Sequence, residues 1–275
     1  MGINNFYSQS GAGSTPDITP GARSFLIAGD ETGVLIIHGY GGSIGDYRSF
    51  ANQLHARGYT VSGVRLAGHG QGLAALQRTS VEDWRQSVAD GMAELRRQCR
   101  TVFILGSSFG AVLALDYAVR HPDHVPGLAL VNCALSYRGG GVFQGLALRL
   151  MRLVTPYYPK RGMTEAERQR GRDVGSTDAW PIDGILATSL FARRTVGPSL
   201  PRITAPALIM YSARDPVVGQ RNSDRLIRRL GSQIIMNVPL PVATHRPFRD
   251  SATVEFLVNR VDDFFGQVIA SRRAV

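Results

Sequence analysis

Short, unbroken apolar runs alternate along the chain with longer stretches whose apolar positions recur every three or four residues. The runs SFLIA (24–28), GVLIIHG (33–39), YTVSGVR (59–65), TVFILG (101–106) and GLALVNC (127–133) have the length of strands buried on both faces. Helical periods lie between them. SIGDYRSFANQLHARG (43–58) is closed by Gly58, and residues 80–98 follow a Thr79 or Ser80 cap with Glu82 and Asp83 in the first turn. A third helix, 109–120, ends just before His121-Pro122. Strands and helices alternating at this spacing predict an α/β domain, its sheet mostly parallel and covered by helices on both faces.

The alternation breaks at residue 134. From there to about 202 the chain carries a Gly-rich opening, Arg-studded helices and several prolines, but no run as convincing as a strand as those before it. It then resumes with APALIMYS (205–212), a helix over 218–230, SQIIMNV (232–238) and a final helix from about Thr253 to Ser271. The simplest organisation is one sheet domain over 23–275, interrupted by an inserted helical cap at about 134–202, behind an irregular arm over 1–22 rich in Gly, Ser, Asn and Pro.

Composition narrows the class. A chain of 275 residues, 44% of them apolar, can bury a large continuous core. No signal-type h-region opens it and no stretch approaches the ~20 apolar residues of a membrane span, so the expectation is a protein without an integral membrane segment, cytoplasmic in location. Cys99 and Cys133 lack metal-ligand spacing and read as reduced thiols. The formal charge of +10 comes almost wholly from arginine, Lys160 being the only lysine. Those arginines are scattered, without a basic run or interleaved aromatics, so no nucleic-acid partner is expected. No feature sets an oligomeric state.

The chemistry concentrates at Gly106-Ser107-Ser108-Phe109-Gly110. Here a G-x-S-x-G stands between a buried strand and a helix, the context in which a tight strand-to-helix turn presents a serine as a nucleophile. A serine hydroxyl needs a base, and the base needs an orienting acid, which in this type of fold follow the serine in the order acid, then histidine. Of the histidines after Ser108, His121 and His124 fall at the far end of the helix, more than about 15 Å away at ~1.5 Å per residue. His245, in the loop after the last strand, remains. Asp215 follows the strand APALIMYS directly at the same sheet edge and is the candidate acid, with Asp224 and Asp250 as rivals; Asp250 looks like a first-turn helix charge. The oxyanion of a tetrahedral intermediate requires two N–H donors. Phe109 N–H, next to the nucleophile, and Tyr40 N–H, in the Gly-rich loop HGYGG (38–42), are the candidates.

Together HGYGGS (38–43), RLAGHG (65–70), Glu82-Asp83-Trp84, GSSFGA (106–111), ARDPVV (213–218) and His245 followed by Asp250 resemble the carboxylesterase and monoacylglycerol lipase branch of the α/β-hydrolase superfamily. The resemblance spans about 24–133 and 203–268. It implies an α/β-hydrolase fold and hydrolysis of carboxylic esters, small-molecule acyl esters, through an acyl-enzyme, with no metal and no organic cofactor; His69 would be structural. Thr244 and the prolines 239, 241 and 247 depart from the branch's usual histidine loop. In the cap, Phe143, Leu146, Leu150 and Met151 recur at helical spacing and could roof an acyl pocket, or pack on the sheet domain. Neutral acyl esters are the leading substrates. The alternative is a thioesterase or acyltransferase on CoA- or carrier-bound acyl groups, met by cap arginines.

Overall fold

The apolar runs become a seven-stranded sheet in the computed structural model, which describes residues 17–138, 142–160 and 162–273, the side chains of 142–144 and 273 excepted. The first five strands are β1 (Phe25–Ile27), β2 (Thr32–Ile37), β3 (Thr60–Val64), β4 (Thr101–Ser107) and β5 (Leu128–Val131). Two short strands, β6 (Tyr157–Pro159) and β7 (Ala179–Pro181), pair only with each other, and β8 (Ala207–Tyr211) and β9 (Ile235–Pro239) complete the main sheet. Its order is β1-β3-β2-β4-β5-β8-β9; only β1 runs antiparallel.

The period of two in β2 explains why helices cover both faces. Leu35 and Ile37 join one apolar cluster, with Trp84, Val88 and Leu115 from α3 (Val81–Arg96) and α4 (Phe109–Arg120). Val34 and Ile36 join the other, with Phe50 and Leu54 from α1 (Arg48–His55) and Leu257, Val261 and Phe265 from the last helix, Ser251–Arg273. All four β2 residues are fully buried, as a central parallel strand requires. Ser80 caps α3 by a reciprocal box with Asp83, the start that the sequence predicts. The 43–58 segment differs: Ile44–Tyr47 is a 3₁₀ turn, after Ser43 accepts from Gly45 N–H, and α1 begins only at Arg48.

Between β5 and β8 the chain leaves the sheet. A short α2 (Leu73–Gln77) on the sheet domain meets this insertion, which consists of α5 (Val142–Arg152), β6, α6 (Glu165–Asp173), β7, α7 (Ile182–Phe191), a π turn and the single turn α8 (Gly197–Ser199). The β6–β7 ribbon has three residues per strand, too short to register as a run in the sequence. Past β8, α9 (Arg221–Arg229) is shorter than the 218–230 expected, and the last helix, α10 (Ser251–Arg273), is longer. Of the expected N-terminal arm, residues 1–16 lie outside the described residues. Thr19 N–H donates to Gly70 O (2.9 Å) and Ala22 is buried, which seats 17–24 on the 65–70 loop.

The helix after β4 packs on β2 at the closest distance the backbone permits. A Cβ at Gly110 would stand 2.1 Å from Ile37 O and 2.6 Å from His38 O. The first belongs to a central strand that cannot retreat and the second to the residue that follows it. Gly110→Ala is therefore expected to destabilise the protein by about 3 kcal/mol or more, read as a lowered melting temperature by calorimetry. An unchanged melting temperature would show that α4 has room to move.

Candidate active site

Ser108 sits where β4 turns into α4, as the residue preceding the first helical position. Its backbone lies at φ 56°, ψ −120°, a region that a side chain adopts only when its surroundings impose it. Those surroundings are visible: Ser108 N–H donates to Val131 O (2.9 Å), and Ser108 O accepts from Ala134 N–H (3.2 Å). Gly39 brings the neighbouring loop close, since a Cβ there would lie 3.0 Å from Ser108 Cβ.

Two loops at the same sheet edge reach Ser108. Asp215, after β8, is fully buried, and its Oδ1 accepts from Val217 N–H (2.7 Å) and Val218 N–H (3.0 Å). Its Oδ2 lies 2.7 Å from His245 Nδ1, and His245 Nε2 lies 2.9 Å from Ser108 Oγ. A carboxylate only accepts, so Nδ1 carries the proton and Nε2 is free to accept from the serine hydroxyl. The structure thus joins the three expected residues in one hydrogen-bonded chain. Asp250 is elsewhere: its Oδ2 accepts from Thr253 N–H (2.8 Å) at the start of α10. Asp224 lies in the first turn of α9.

Two residues that sequence reasoning passed over hold these loops. Asn132, after β5, has φ 46°; its Oδ1 accepts from Ser212 N–H (2.8 Å) and its Nδ2 donates to Thr244 O (3.2 Å), tying the Asp215 loop to the His245 loop. Arg138 Nη1 donates to Asp215 O (2.9 Å). A lone Asn directly after a strand is a weak signal for the first, and nothing local marks the second.

The Gly39–Gly42 turn, closed by Gly42 N–H to Gly39 O (3.0 Å), carries Tyr40 beside Ser108. Among the described residues neither Tyr40 N–H nor Phe109 N–H has a hydrogen-bond partner. The turn is held from outside. Trp180 Nε1 donates to Tyr40 O (3.1 Å), while Lys160 Nζ (2.6 Å) and Thr177 N–H (3.3 Å) donate to Gly41 O, all three from the insertion. The Tyr40 side chain points away into the core, where its hydroxyl donates to Pro181 O (3.3 Å).

From the other side His69 Nε2 accepts from Gly41 N–H (2.9 Å), and His38 Nε2 accepts from Leu66 N–H (3.2 Å). Both rings are buried and must be neutral to accept. Burial lowers His38 to about 4 and holds His69 well below the ordinary 6.5. A base depressed in the folded state takes up protons first when unfolded, so its stabilisation is complete above pH 6.5 and is lost as pH falls toward 4. For His38 alone the loss is about 3 kcal/mol. Melting temperature should therefore drop steeply between pH 6.5 and 4. A flat profile there would contradict the neutral-acceptor roles.

Ser108 and His245 open onto a cavity of about 360 Å³, lined from the insertion by Leu148, Tyr158, Lys160 and Trp180 among others. Of the apolar face expected of the insertion, Leu146, Leu150 and Met151 are not among the lining residues. Leu146 and Leu150 are 53% and 58% exposed, Met151 is half-buried away from the cavity lining, and the Phe143 side chain lies outside the described residues. Leu148 turns inward instead. The reason is in the sequence: α5 is apolar at most positions, so spacing alone does not select one face. Among the described residues no group of three His, Cys, Asp or Glu side chains could hold a metal, and no helix is long and apolar enough to cross a membrane.

With the geometry in place, comparison with known proteins gives consistent matches. The serine aminopeptidase S33 family model matches residues 30–252. A thermostable monoacylglycerol lipase from Bacillus sp. (strain H-257) is 30% identical over 217 residues, covering 78% of this chain and 83% of that protein. A monoacylglycerol lipase of Mycolicibacterium smegmatis is 25% identical over 80% of this chain and 84% of its own length. Among solved structures, one of a metagenome-derived lipolytic enzyme superposes with a TM-score of 0.80 at 26% identity, covering 91% of this chain and all of that one.

Proposed function

The chain belongs to the serine aminopeptidase S33 family, in the carboxylesterase and monoacylglycerol lipase branch of the α/β-hydrolases, and is an ester hydrolase; from that membership we propose that it works through Ser108, His245 and Asp215 by way of an acyl-enzyme. The observation that carries this reading is the hydrogen-bonded chain from Ser108 Oγ through His245 to buried Asp215, open to a cavity. Ser108 Oγ attacks the ester carbonyl as its proton passes to His245 Nε2, and Asp215 stabilises the imidazolium. The carbonyl oxygen becomes an oxyanion held by the free N–H groups of Tyr40 and Phe109, the latter at a helix N-terminus. Collapse expels the alcohol, protonated by His245, and leaves an ester on Ser108. Water activated by the same histidine then releases the acid.

No metal or organic cofactor enters any step, and EDTA is expected to leave turnover unchanged. The substrates are small-molecule acyl esters. We assign residues 134–202 the role of a cap, because Trp180 and Lys160 hold the Tyr40–Gly41 turn and other residues of the insertion line the cavity. A side-by-side assay of p-nitrophenyl esters, monoacylglycerols and acyl-CoA thioesters tests the substrate class. Oxygen esters should be turned over well ahead of thioesters; a thioester preference would move the protein to acyl-carrier chemistry.

A further inference from the structure

The cavity that holds Ser108 is unusually cationic at one end. Among the described residues six charged side chains line it: Arg138, Lys160, Arg246 and Arg249 against Asp46 and Glu167. Arg138 Nη1 donates to the Asp215 carbonyl. Glu167 is spent on the capping box of α6 and is exposed to solvent. Among the described lining residues this leaves the part-buried Asp46 as the carboxylate set against the three remaining cations, and Arg249 takes both of its oxygens, Nε to Oδ1 and Nη2 to Oδ2, each at 2.9 Å.

That leaves hydrogen-bonding capacity unused. The Arg249 side chain is only 10% exposed, and its Nη1 is buried without a partner among the described residues. Arg246, adjacent in sequence to His245, directs its guanidinium among the described residues only to the Met163 thioether (Nη2 to Sδ, 3.4 Å), a weak acceptor. Lys160, 4% exposed, has the Gly41 carbonyl and the Trp180 ring face for company, but no carboxylate within bonding distance among the described residues. Burying like charges together costs free energy unless an opposite charge arrives. Consistently, burial and the Arg246 and Arg249 charges hold the Lys160 ammonium well below its ordinary range, and burial and Arg249 lower Arg246.

We infer that Lys160, Arg246 and Arg249 form an anion-binding subsite of the catalytic cavity, so that the preferred ester carries a carboxylate or phosphate remote from its scissile bond. The inference rests on the Ser108 reading and narrows it: a wholly neutral ester would leave these guanidinium donors unmatched. Arginine forks suit either oxyanion, and the anion can sit on the acyl or the alcohol side.

Matched substrates separate these sources. On the acyl side the pair is p-nitrophenyl hexanoate and mono-p-nitrophenyl adipate; on the alcohol side it is monobutyrin and butyryl glycerol 3-phosphate. In at least one pair the anionic member should exceed its neutral partner in kcat/KM by about tenfold or more. Which pair responds identifies the anion and its side. Arg246→Met should collapse the ratio in the responding pair at least tenfold, with melting temperature read alongside. Arg249→Met alone strands Asp46, so it is made together with Asp46→Asn, and the same collapse is expected. A ratio below ten in both pairs, or one that survives in both variants, overturns the subsite. Failure of the Ser108 reading looks different, because neither member of either pair would then be turned over through Ser108.

Discussion

Ser108→Ala is expected to lower kcat for ester hydrolysis by on the order of 10⁴ or more while leaving the melting temperature nearly unchanged. The substitution removes the attacking atom and one surface of its hydrogen bond to His245, but little volume and no core contact. The local backbone is held by Val131 O and Ala134 N–H, neither of which involves the side chain. Alanine can occupy the same φ of 56° at no greater strain than serine. Residual turnover above about one per cent of the parent would mean that another group attacks the ester.

Asp215→Asn should cost nearly as much, about 10³ to 10⁴ in kcat. The buried carboxylate now accepts from His245 Nδ1 and from two backbone amides. An amide can satisfy Val217 and Val218 N–H with its oxygen and turn its NH₂ toward the ring. Nδ1 must then accept, the proton moves to Nε2, and the ring can no longer take the serine's proton. Asp250→Asn makes the control, because that carboxylate caps α10 and touches no part of the chain to Ser108. It should lose no more than about 1 kcal/mol of stability and little activity. The opposite ranking would transfer the acid role to Asp250.

The sheet and the hydrogen-bonded chain from Ser108 to Asp215 were legible because each depends on a local pattern. The runs at 34–37 and 102–105 are buried on both faces, so nothing polar interrupts them, and Gly110 is demanded because a Cβ there would lie 2.1 Å from Ile37 O of β2. His245 and Asp215 could be chosen by chain order, since both follow strands that end at one sheet edge. What holds them was not legible. Lys160 and Gly41 are far apart in the chain, as are Arg138 and Asp215, and no periodicity links such pairs. The β6–β7 ribbon is held by Lys160, Thr177 and Trp180 to the 39–42 turn rather than by any strand-forming run of its own.

The same limit applies to the insertion's helix α5. Apolar residues at 146, 148, 150 and 151 trace more than one stripe, and only the tertiary contact decides that Leu148 is buried while Leu146 and Leu150 face solvent. Net charge is silent in a similar way. A tally of +10 does not disclose that Arg246 and Arg249 line one cavity in which the part-buried Asp46 pairs with Arg249.

The central claim is that Ser108 is the nucleophile, and the most direct measurement of it is the site of covalent attachment. The intact protein is treated with a fluorophosphonate, digested, and the modified peptide located by mass spectrometry. The account predicts a single adduct on Ser108, absent from Ser108→Ala and slowed in Asp215→Asn. An adduct on Ser107 or any other serine, or labelling that persists in Ser108→Ala, would contradict it.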